Sequence, residues 1–273
     1  MTDVTLTAAA RSALVDLQRT AQLSQRTRER LETGLRVNRP IDDGPAFFLA
    51  QNLIDRAGDL AQVKSGIGQA ATAVGGTLAG IDAIGQVVGQ LKGIAQAARG
   101  GSPEARAEAA RQFDRLRSQI DAIAADTGFG GVRLLTEPAQ SLTVNFNGAG
   151  PGGLTIQGRP SQAQSLGIGA AAGDFNNFAT DADLDAALAG LGNATGALRA
   201  SAAALGSNAG LLNTRFAFTE DLTQALRTGA GKLIDADLDE EAARLVTLRV
   251  RDGLGATGLA IAAQSQRALL QLF

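Results

Sequence analysis

The sequence contains no histidine, cysteine, tryptophan or tyrosine, and its only aromatic side chains are ten phenylalanines. Without cysteine, the chain forms no disulfide bond and offers no thiolate nucleophile. Without histidine, it lacks the commonest general base and the commonest metal ligand of proteins. Metal sites built on sulfur or imidazole are therefore excluded, although a site made only of carboxylates is not.

Charge of one sign is not in excess, because 25 basic and 27 acidic side chains give a formal net charge of −2. This balance provides no electrostatic reason to bind nucleic acid or an anionic membrane. It also lets copies of the chain approach one another without strong repulsion. The first residues, MTDVTLTAAARS, lack the basic region, apolar core and cleavage site of a secretory signal peptide, so we expect no cleaved signal.

Long hydrophobic runs are also missing. The charge-free stretch 65–81 consists mostly of Gly, Ala, Thr and Gln and is shorter than a usual membrane span. Large aliphatic residues are too few there for stable insertion into a bilayer. The stretch therefore predicts a tightly packed soluble helix.

Helical periodicity is present at both ends of the chain. Segments with this pattern cover residues 3–35, 46–99, 103–126, 183–227 and 232–273. The third segment starts at Ser102-Pro103-Glu104, which supplies a hydroxyl cap, a proline at the first helical position and an acid in the first turn. The final segment includes Gly253, Gly255 and Gly258, which make it flexible.

The middle of the chain predicts a small β-hairpin. Residues 141–147 and 154–157 alternate apolar and polar side chains on either side of a glycine-rich stretch. Residues 158–182 resemble an irregular loop. Because strands and helices do not alternate along the chain, an α/β enzyme fold is not expected. We predict a mainly α-helical fold with a β insert.

The end segments bury too little apolar surface to be stable alone. Fourteen large apolar side chains lie between Leu233 and Phe273. Covering half of them offsets only part of the conformational entropy lost when that segment orders, and an isolated helix is marginal in water. We therefore expect both ends to be disordered in the free chain and to order on meeting each other and neighbouring copies.

The acidic pair Asp42-Asp43 has both a catalytic and a structural interpretation. As catalytic carboxylates, the two residues would need a pocket and a partner acid. They instead precede a helix, where carboxylates favour the exposed N–H groups and the helix dipole. We predict capping together with a salt bridge to Arg36 or Arg39.

Two further motifs resemble ligand sites but have the wrong context. Residues 66–71, GIGQAA, match a degenerate dinucleotide fingerprint, yet they follow a helical segment and not a strand. The acidic residues between Asp235 and Glu241 lack the loop glycine and the spacing of an EF-hand, which favours an acidic helix start over a calcium site. No cofactor, metal or catalytic residue is predicted.

Three motifs, in order along the chain, resemble those of bacterial flagellins. Thr33-Gly-Leu-Arg-Val-Asn38 with Ile41-Asp-Asp43 is similar to the family signature S/T-G-L-R-I-N…D-D. Residues 126–135, DTGFGGVRLL, are similar to T-x-F-N-G-x-x-L-L, and residues 235–264 follow the C-terminal pattern without a gap. The resemblance covers residues 5–137 and 183–273 and is closest to short alphaproteobacterial members.

The resemblance implies a structural subunit that polymerises into the flagellar filament. Paired N- and C-terminal helices, 1–38 and 232–273, would form an antiparallel coiled coil lining an inner tube. Residues 39–231 would form the helical bundle of an outer tube, with the insert at about 138–182 and no outer variable domains. Expected partners are other copies of the chain, hook-associated and cap proteins, an export chaperone and the type III export apparatus. The subunit would be extracellular and would leave the cell without cleavage of a signal peptide.

The resemblance and the apolar stripes together predict three sets of functional residues. The assembly interface is expected at Leu6, Leu17, Leu31, Leu35, Leu245, Leu248, Leu259, Leu269, Leu272 and Phe273, and the bend between the tubes at Arg36, Asn38, Asp42 and Asp43. Replacing Leu259 with Asp is expected to give an exported monomer that does not polymerise. In the segment that innate immune receptors read in this family, Gln90 replaces an arginine and Gly93 a glutamate, while Ile94 keeps the apolar contact. Weak recognition by the cell-surface flagellin receptor is therefore expected.

Two alternative functions stay open on sequence alone. A hook–filament junction protein shares the end helices, although such proteins usually have a larger middle region. A carboxylate-dependent hydrolase would require acidic residues that converge on a pocket, and the sequence suggests no such convergence.

Overall fold

The computed structural model describes residues 8–147 and 152–270, and within these the side chains of residues 11–147 and 152–265. Five helices and one two-stranded sheet account for the regular structure in this part of the chain. They are α1 (Ala8–Thr33), α2 (Gly44–Ala97), α3 (Pro103–Asp126), β1 (Ser141–Asn145), β2 (Gly153–Gln157), α4 (Asp181–Ile234) and α5 (Leu238–Leu270), with one 3-10 turn at Asn176–Phe178. The prediction of a mainly α-helical protein with a small β-hairpin insert is confirmed.

The chain divides into two compact units. Unit 1 contains Met1–Ala57 and Gln224–Phe273, and unit 2 contains Gly58–Thr223. Both boundaries fall inside long helices, α2 and α4. The predicted boundaries at 38/39 and 231/232 refer to layers of an assembled filament and stay a prediction.

In unit 1, α1 and α5 pair in antiparallel orientation. Arg30, near the end of α1, contacts Glu241 at the start of α5, whereas Leu17, earlier in α1, lies against Gly255 further along α5. Helix α1 ends where Gly34 adopts a positive φ of 72°, a conformation that glycine tolerates at a helix C-terminus. The predicted pairing of the two end segments is confirmed within a single chain.

Backbone hydrogen bonds join the two segments that follow α1 and precede α5. Arg36 N donates to the Ile234 carbonyl at 2.6 Å, and Ala236 N donates to the Gly34 carbonyl at 2.9 Å. The fourth helix continues to Ile234, seven residues beyond the predicted end at Arg227. Ala230 in this extension is buried, so packing outweighs the weak helix propensity of the glycines around it.

In unit 2, α2 and α4 are antiparallel neighbours, as shown by the ion pair of Lys64 with Glu220 at 3.3 Å and that of Arg99 with Asp185. By length and composition alone α2 could cross a membrane, with a mean hydropathy of 1.3 over its most apolar window. Its large aliphatic side chains are nevertheless buried in the core of unit 2: Ile67, Val74, Ile84 and Leu91. Helix α2 is therefore a core helix.

Helix α3 anchors the core and the loop that follows the hairpin. Ser102 caps α3 as predicted, since its hydroxyl oxygen accepts a hydrogen bond from Ala105 N at 3.3 Å. The Phe113 ring packs edge-on against Phe178, with centroids 5.3 Å apart. On the polar face of α3, the Asp114 carboxylate accepts a hydrogen bond from Ala171 N at 2.6 Å, which fixes the loop on the helix.

The insert is an antiparallel hairpin in which Thr143 lies opposite Thr155. Val144 and Ile156 point into the core, while their neighbours along each strand are more exposed. This alternation is the reason the hairpin was predictable from the sequence.

Candidate assembly surface

The residues predicted as the assembly seam are covered by the chain's own contacts. Leu248 is 5% exposed, and Leu17 packs against Gly255. Half-buried side chains are those of Leu17, Leu31, Leu35, Leu245 and Leu259. Leu6, Leu272 and Phe273 lie outside the described residues, as does the side chain of Leu269. Each predicted residue with a described side chain is thus at least partly covered in a single copy.

A different set of apolar side chains on unit 1 is open to solvent. Four of these on α5 are between 57% and 67% exposed: Val246, Val250, Leu254 and Ile261. Their spacing of four, four and seven residues places them within one face of the helix. Large aliphatic residues aligned in this way mark a surface that another element covers. We call these four residues the open stripe.

Sequence reasoning missed the open stripe because α5 carries apolar residues on more than one face. The signal was present as the i, i+4, i+8 spacing of Val246, Val250 and Leu254. Periodicity alone does not show which of two apolar faces meets α1. The structure assigns the face containing Leu245, Leu248 and Gly255 to α1 and leaves the other face open.

The predicted bend residues form a compact network after α1. The Arg36 guanidinium donates to the Leu233 carbonyl at 2.6 Å. The Asp42 carboxylate accepts hydrogen bonds from the backbone N–H groups of Arg39 at 3.0 Å and Asn38 at 3.3 Å, and the Arg39 guanidinium lies 4.0 Å from it. Asp42 therefore contacts Arg39 and not Arg36, the other partner considered.

Asp43 is a helix cap. Its Oδ1 atom accepts a hydrogen bond from Ala46 N at 3.1 Å, which satisfies one of the unpaired N–H groups at the start of α2. The predicted capping role is confirmed. The role of this network in a bend between tubes stays a prediction.

Charged side chains line a surface cleft of about 320 Å³ beside this network. The charged lining residues are Arg26, Glu29, Arg30, Arg36, Arg39 and Asp42. Leu35 and Ile41 add apolar surface, and Ile41 is 86% exposed. We call this feature the arginine cleft.

A buried ion pair joins α1 to α5 next to the arginine cleft. Glu241 Oε1 accepts hydrogen bonds from the Arg30 guanidinium at 2.7 Å and from that of Arg244 at 3.3 Å. The Glu241 side chain is only 6% exposed. Its second oxygen, Oε2, has no hydrogen-bond partner among the described residues. The pair ties the two ends of the chain together.

The segment related to immune recognition lies on α2 in unit 2. Gln90 and Gly93 are exposed, and no other side chain lies within 4 Å of a Cβ built on Gly93. Ile94 is half-buried and packs against the core. The effect of these residues on receptor recognition stays a prediction.

The surface of unit 1 fits self-association better than it fits catalysis or metal binding. Within the described part of the chain, no group of three or more acidic side chains is placed to hold a metal ion. The arginine cleft contains two carboxylates, those of Glu29 and Asp42, and both form ion pairs with Arg39. An open apolar stripe on a helix that is already paired is typical of a structural protein that associates through its helices.

Comparison with known proteins gives the family. The model of a protein family described as "Bacterial flagellin N-terminal helical region" matches residues 4–139 of this chain. Flagellin FljM of Caulobacter vibrioides is 30% identical over 264 residues, which cover 96% of this chain and 94% of the relative. Flagellin FljK of the same organism is 28% identical over 100% of this chain and 99% of its own, and a flagellin of Brucella melitensis is 26% identical with the same coverage. The chain belongs to the bacterial flagellin family.

Members of this family are structural subunits of the extracellular flagellar filament and not enzymes, so the expected class of function is confirmed. The named relatives are flagellins, and none of these findings favours the junction protein. Among solved structures, the crystal structure of Bacillus cereus flagellin aligns with a TM-score of 0.49 at 19% identity, over 56% of this chain and 87% of that one.

Proposed function

We propose that the paired end segments of each subunit, residues 1–38 and 232–273, line the inside of the filament and that the open stripe is covered there by neighbouring copies. The open stripe carries this proposal, because its four aliphatic side chains remain exposed after α1 and α5 have paired. Burying a large aliphatic side chain contributes about 1.5–3 kcal/mol. Contacts repeated at every subunit therefore favour polymerisation.

The contact between copies is heterologous in this proposal. One patch of a subunit binds a different patch of the next, and a rotation that does not close gives a helical filament. We also propose Leu6, Leu269, Leu272 and Phe273 as residues of the assembly interface. Residues 39–231 form the outer tube, and the network of Arg36, Asn38, Asp42 and Asp43 sets the bend between the layers.

The short insert supports a slim filament. Only residues 138–182 separate the parts of the chain that resemble the family, and they form a hairpin and a loop fixed to α3. The relatives from Caulobacter and Brucella are covered almost completely, so they are of nearly the same length. The outer surface is nearly smooth in this proposal.

We further propose an export route and further partners, with membership of the family as the support. The subunit passes through the type III export apparatus with the help of a chaperone, meets hook-associated proteins at its base and is added beneath a cap protein. No signal peptide is removed on this route. The N-terminal sequence of subunits recovered from sheared filaments tests this last point, because cleavage of a signal peptide would remove about 15–30 residues and not the initiator methionine alone.

Electron microscopy of the purified protein tests the central proposal. Addition of a strongly salting-out anion strengthens apolar burial and is expected to convert monomers into filaments, with the paired end segments on the inside of the reconstructed tube. Closed rings, or filaments with the open stripe on the outer surface, would contradict the proposed arrangement.

A further inference from the structure

The arginine cleft has an unused positive charge. Its four arginines and two acids give the lining a net charge of +2. Three of the arginines are engaged: Arg30 with Glu241, Arg36 with a backbone carbonyl, and Arg39 with Glu29 and Asp42. The Arg26 side chain is exposed and makes no hydrogen bond or ion pair with any residue that the structure describes. A partner that brings a carboxylate to Arg26 would complete the cleft.

The cleft also has an apolar side. Ile41, which lines it, is 86% exposed, more than any other large apolar residue among those described. A ligand that fits both features carries a carboxylate next to an aliphatic side chain, so that the ion pair forms beside a surface that loses water.

The first turn of α5 presents this combination on the surface of unit 1. Leu238 is 49% exposed, and Asp239 follows it. The Asp237 carboxylate is occupied as the helix cap, accepting from Asp239 N and Glu240 N at 3.1 Å, and Glu240 pairs with Arg244. The exposed Asp239 carboxylate has no partner among the described residues.

Within one chain these two charges do not pair, although their neighbours do. Arg30 is one turn beyond Arg26 on α1, Glu241 lies two residues beyond Asp239 on α5, and together they form the buried ion pair. The exposed charges of Arg26 and Asp239 are therefore available to other copies of the chain.

We propose that Leu238 and Asp239 of one subunit dock in the arginine cleft of a neighbouring subunit, with Asp239 on Arg26 and Leu238 against Ile41. This inference rests on the proposed function, because it names one contact by which the filament grows. The two surfaces differ, so the contact is heterologous and propagates from copy to copy. The charges also fix the register of the neighbours, as interfacial ion pairs generally do.

Charge reversal and mixing test the proposal on the full-length protein. The measurement is the subunit concentration needed for filament formation, determined by sedimentation. Arg26→Glu and Asp239→Arg are each expected to raise this concentration about tenfold or more, the change that corresponds to one charge-assisted contact. The double variant R26E/D239R is expected to return close to the wild-type value because the pair is restored with reversed sign.

An equimolar mixture of the two single variants is the sharper experiment. Each subunit then offers a surface that matches its neighbour, so mixed filaments are expected at concentrations where neither variant assembles alone. Recovery in the double variant but not in the mixture would assign the pair to a single chain and overturn the proposal. Single variants that assemble like the wild type would overturn it as well.

Matched controls remove the effects of net charge and of helix stability. Arg28→Glu and Asp252→Arg make the same charge changes at exposed positions of α1 and α5, outside the cleft and outside the first turn of α5, and are expected to assemble normally. Circular dichroism of each monomer verifies that the helices are retained. Failure of the wild-type protein itself to form filaments would contradict the proposed function and not this contact alone.

Discussion

Glu241 Oε1 lies 2.7 Å from the Arg30 guanidinium, and the two residues are 211 positions apart in the sequence. The Glu241 carboxylate is almost fully buried, whereas the Arg30 side chain remains 32% exposed. The first turn of α5 and the last turn of α1 are thus joined by an ion pair beside the arginine cleft. Removing one partner of such a pair costs more than removing both, because the Glu241 carboxylate would stay buried with only the longer contact to Arg244 at 3.3 Å.

Replacing Arg30 with Met is therefore expected to destabilise the pairing of α1 with α5 by about 2–4 kcal/mol. Hydrogen exchange of the α5 amides measures this effect. The double variant R30M/E241L should regain most of the loss, because it leaves no buried charge. Arg244→Met is the control: it removes the longer contact to Glu241 and should cost less. Equal losses in R30M and R30M/E241L would contradict this account.

Gly255 allows the close approach of Leu17. A Cβ atom built on Gly255 would lie 3.2 Å from Leu17 Cγ, whereas a Cβ atom built on Gly258 would have no neighbour within 4 Å. Gly255→Leu is expected to lower the stability of unit 1 by about 1–3 kcal/mol through overpacking. Gly258→Leu, the matched control, should not destabilise the monomer, because it replaces a helical glycine with a better helix former. Urea unfolding of both monomers compares them.

The open stripe is expected to be essential for polymerisation and dispensable for the monomer. Leu254 is 67% exposed, so Leu254→Asp should leave the monomer's helicity and unfolding midpoint unchanged while preventing filament formation. Leu259→Asp should also prevent polymerisation, but Leu259 is half-buried in unit 1, and this variant should lose monomer stability as well. Circular dichroism and sedimentation separate the two effects. Normal filaments from Leu254→Asp would rule out a role for the stripe.

Weak recognition by the cell-surface flagellin receptor is expected from the α2 surface. Gln90 and Gly93 are both exposed, so they are accessible to a receptor in the monomer. The variant Q90R/G93E restores the residue types typical of recognised members and should increase the response of reporter cells by about tenfold or more, the change from one added charge-assisted contact. A double change at Gln86 and Lys92, which are also exposed on α2, serves as the control. Full potency of the unmodified protein would refute this prediction.

Much of the fold could be predicted because the signals are local. The cap at Ser102, the cap at Asp43 and the alternation in β1 and β2 depend on residues a few positions apart. The extension of α4 to Ile234 was not predicted, because the glycines near residue 229 suggested that the helix ends before them. Burial of Ala230 stabilises the helix there despite those glycines. The arginine cleft was not predictable, since its lining residues are brought together by the turn after α1.

The sequence by itself determined the helices, their caps, the hairpin and the family, because each depends on short-range periodicity or on contiguous motifs. Only the tertiary structure decided which apolar face of α5 is covered by α1 and which stays open. It also decided that Arg30, and not Arg26, meets an acid of α5. The physical reason is that a helix with apolar residues on two faces has two possible seams, and packing against a distant segment selects one of them.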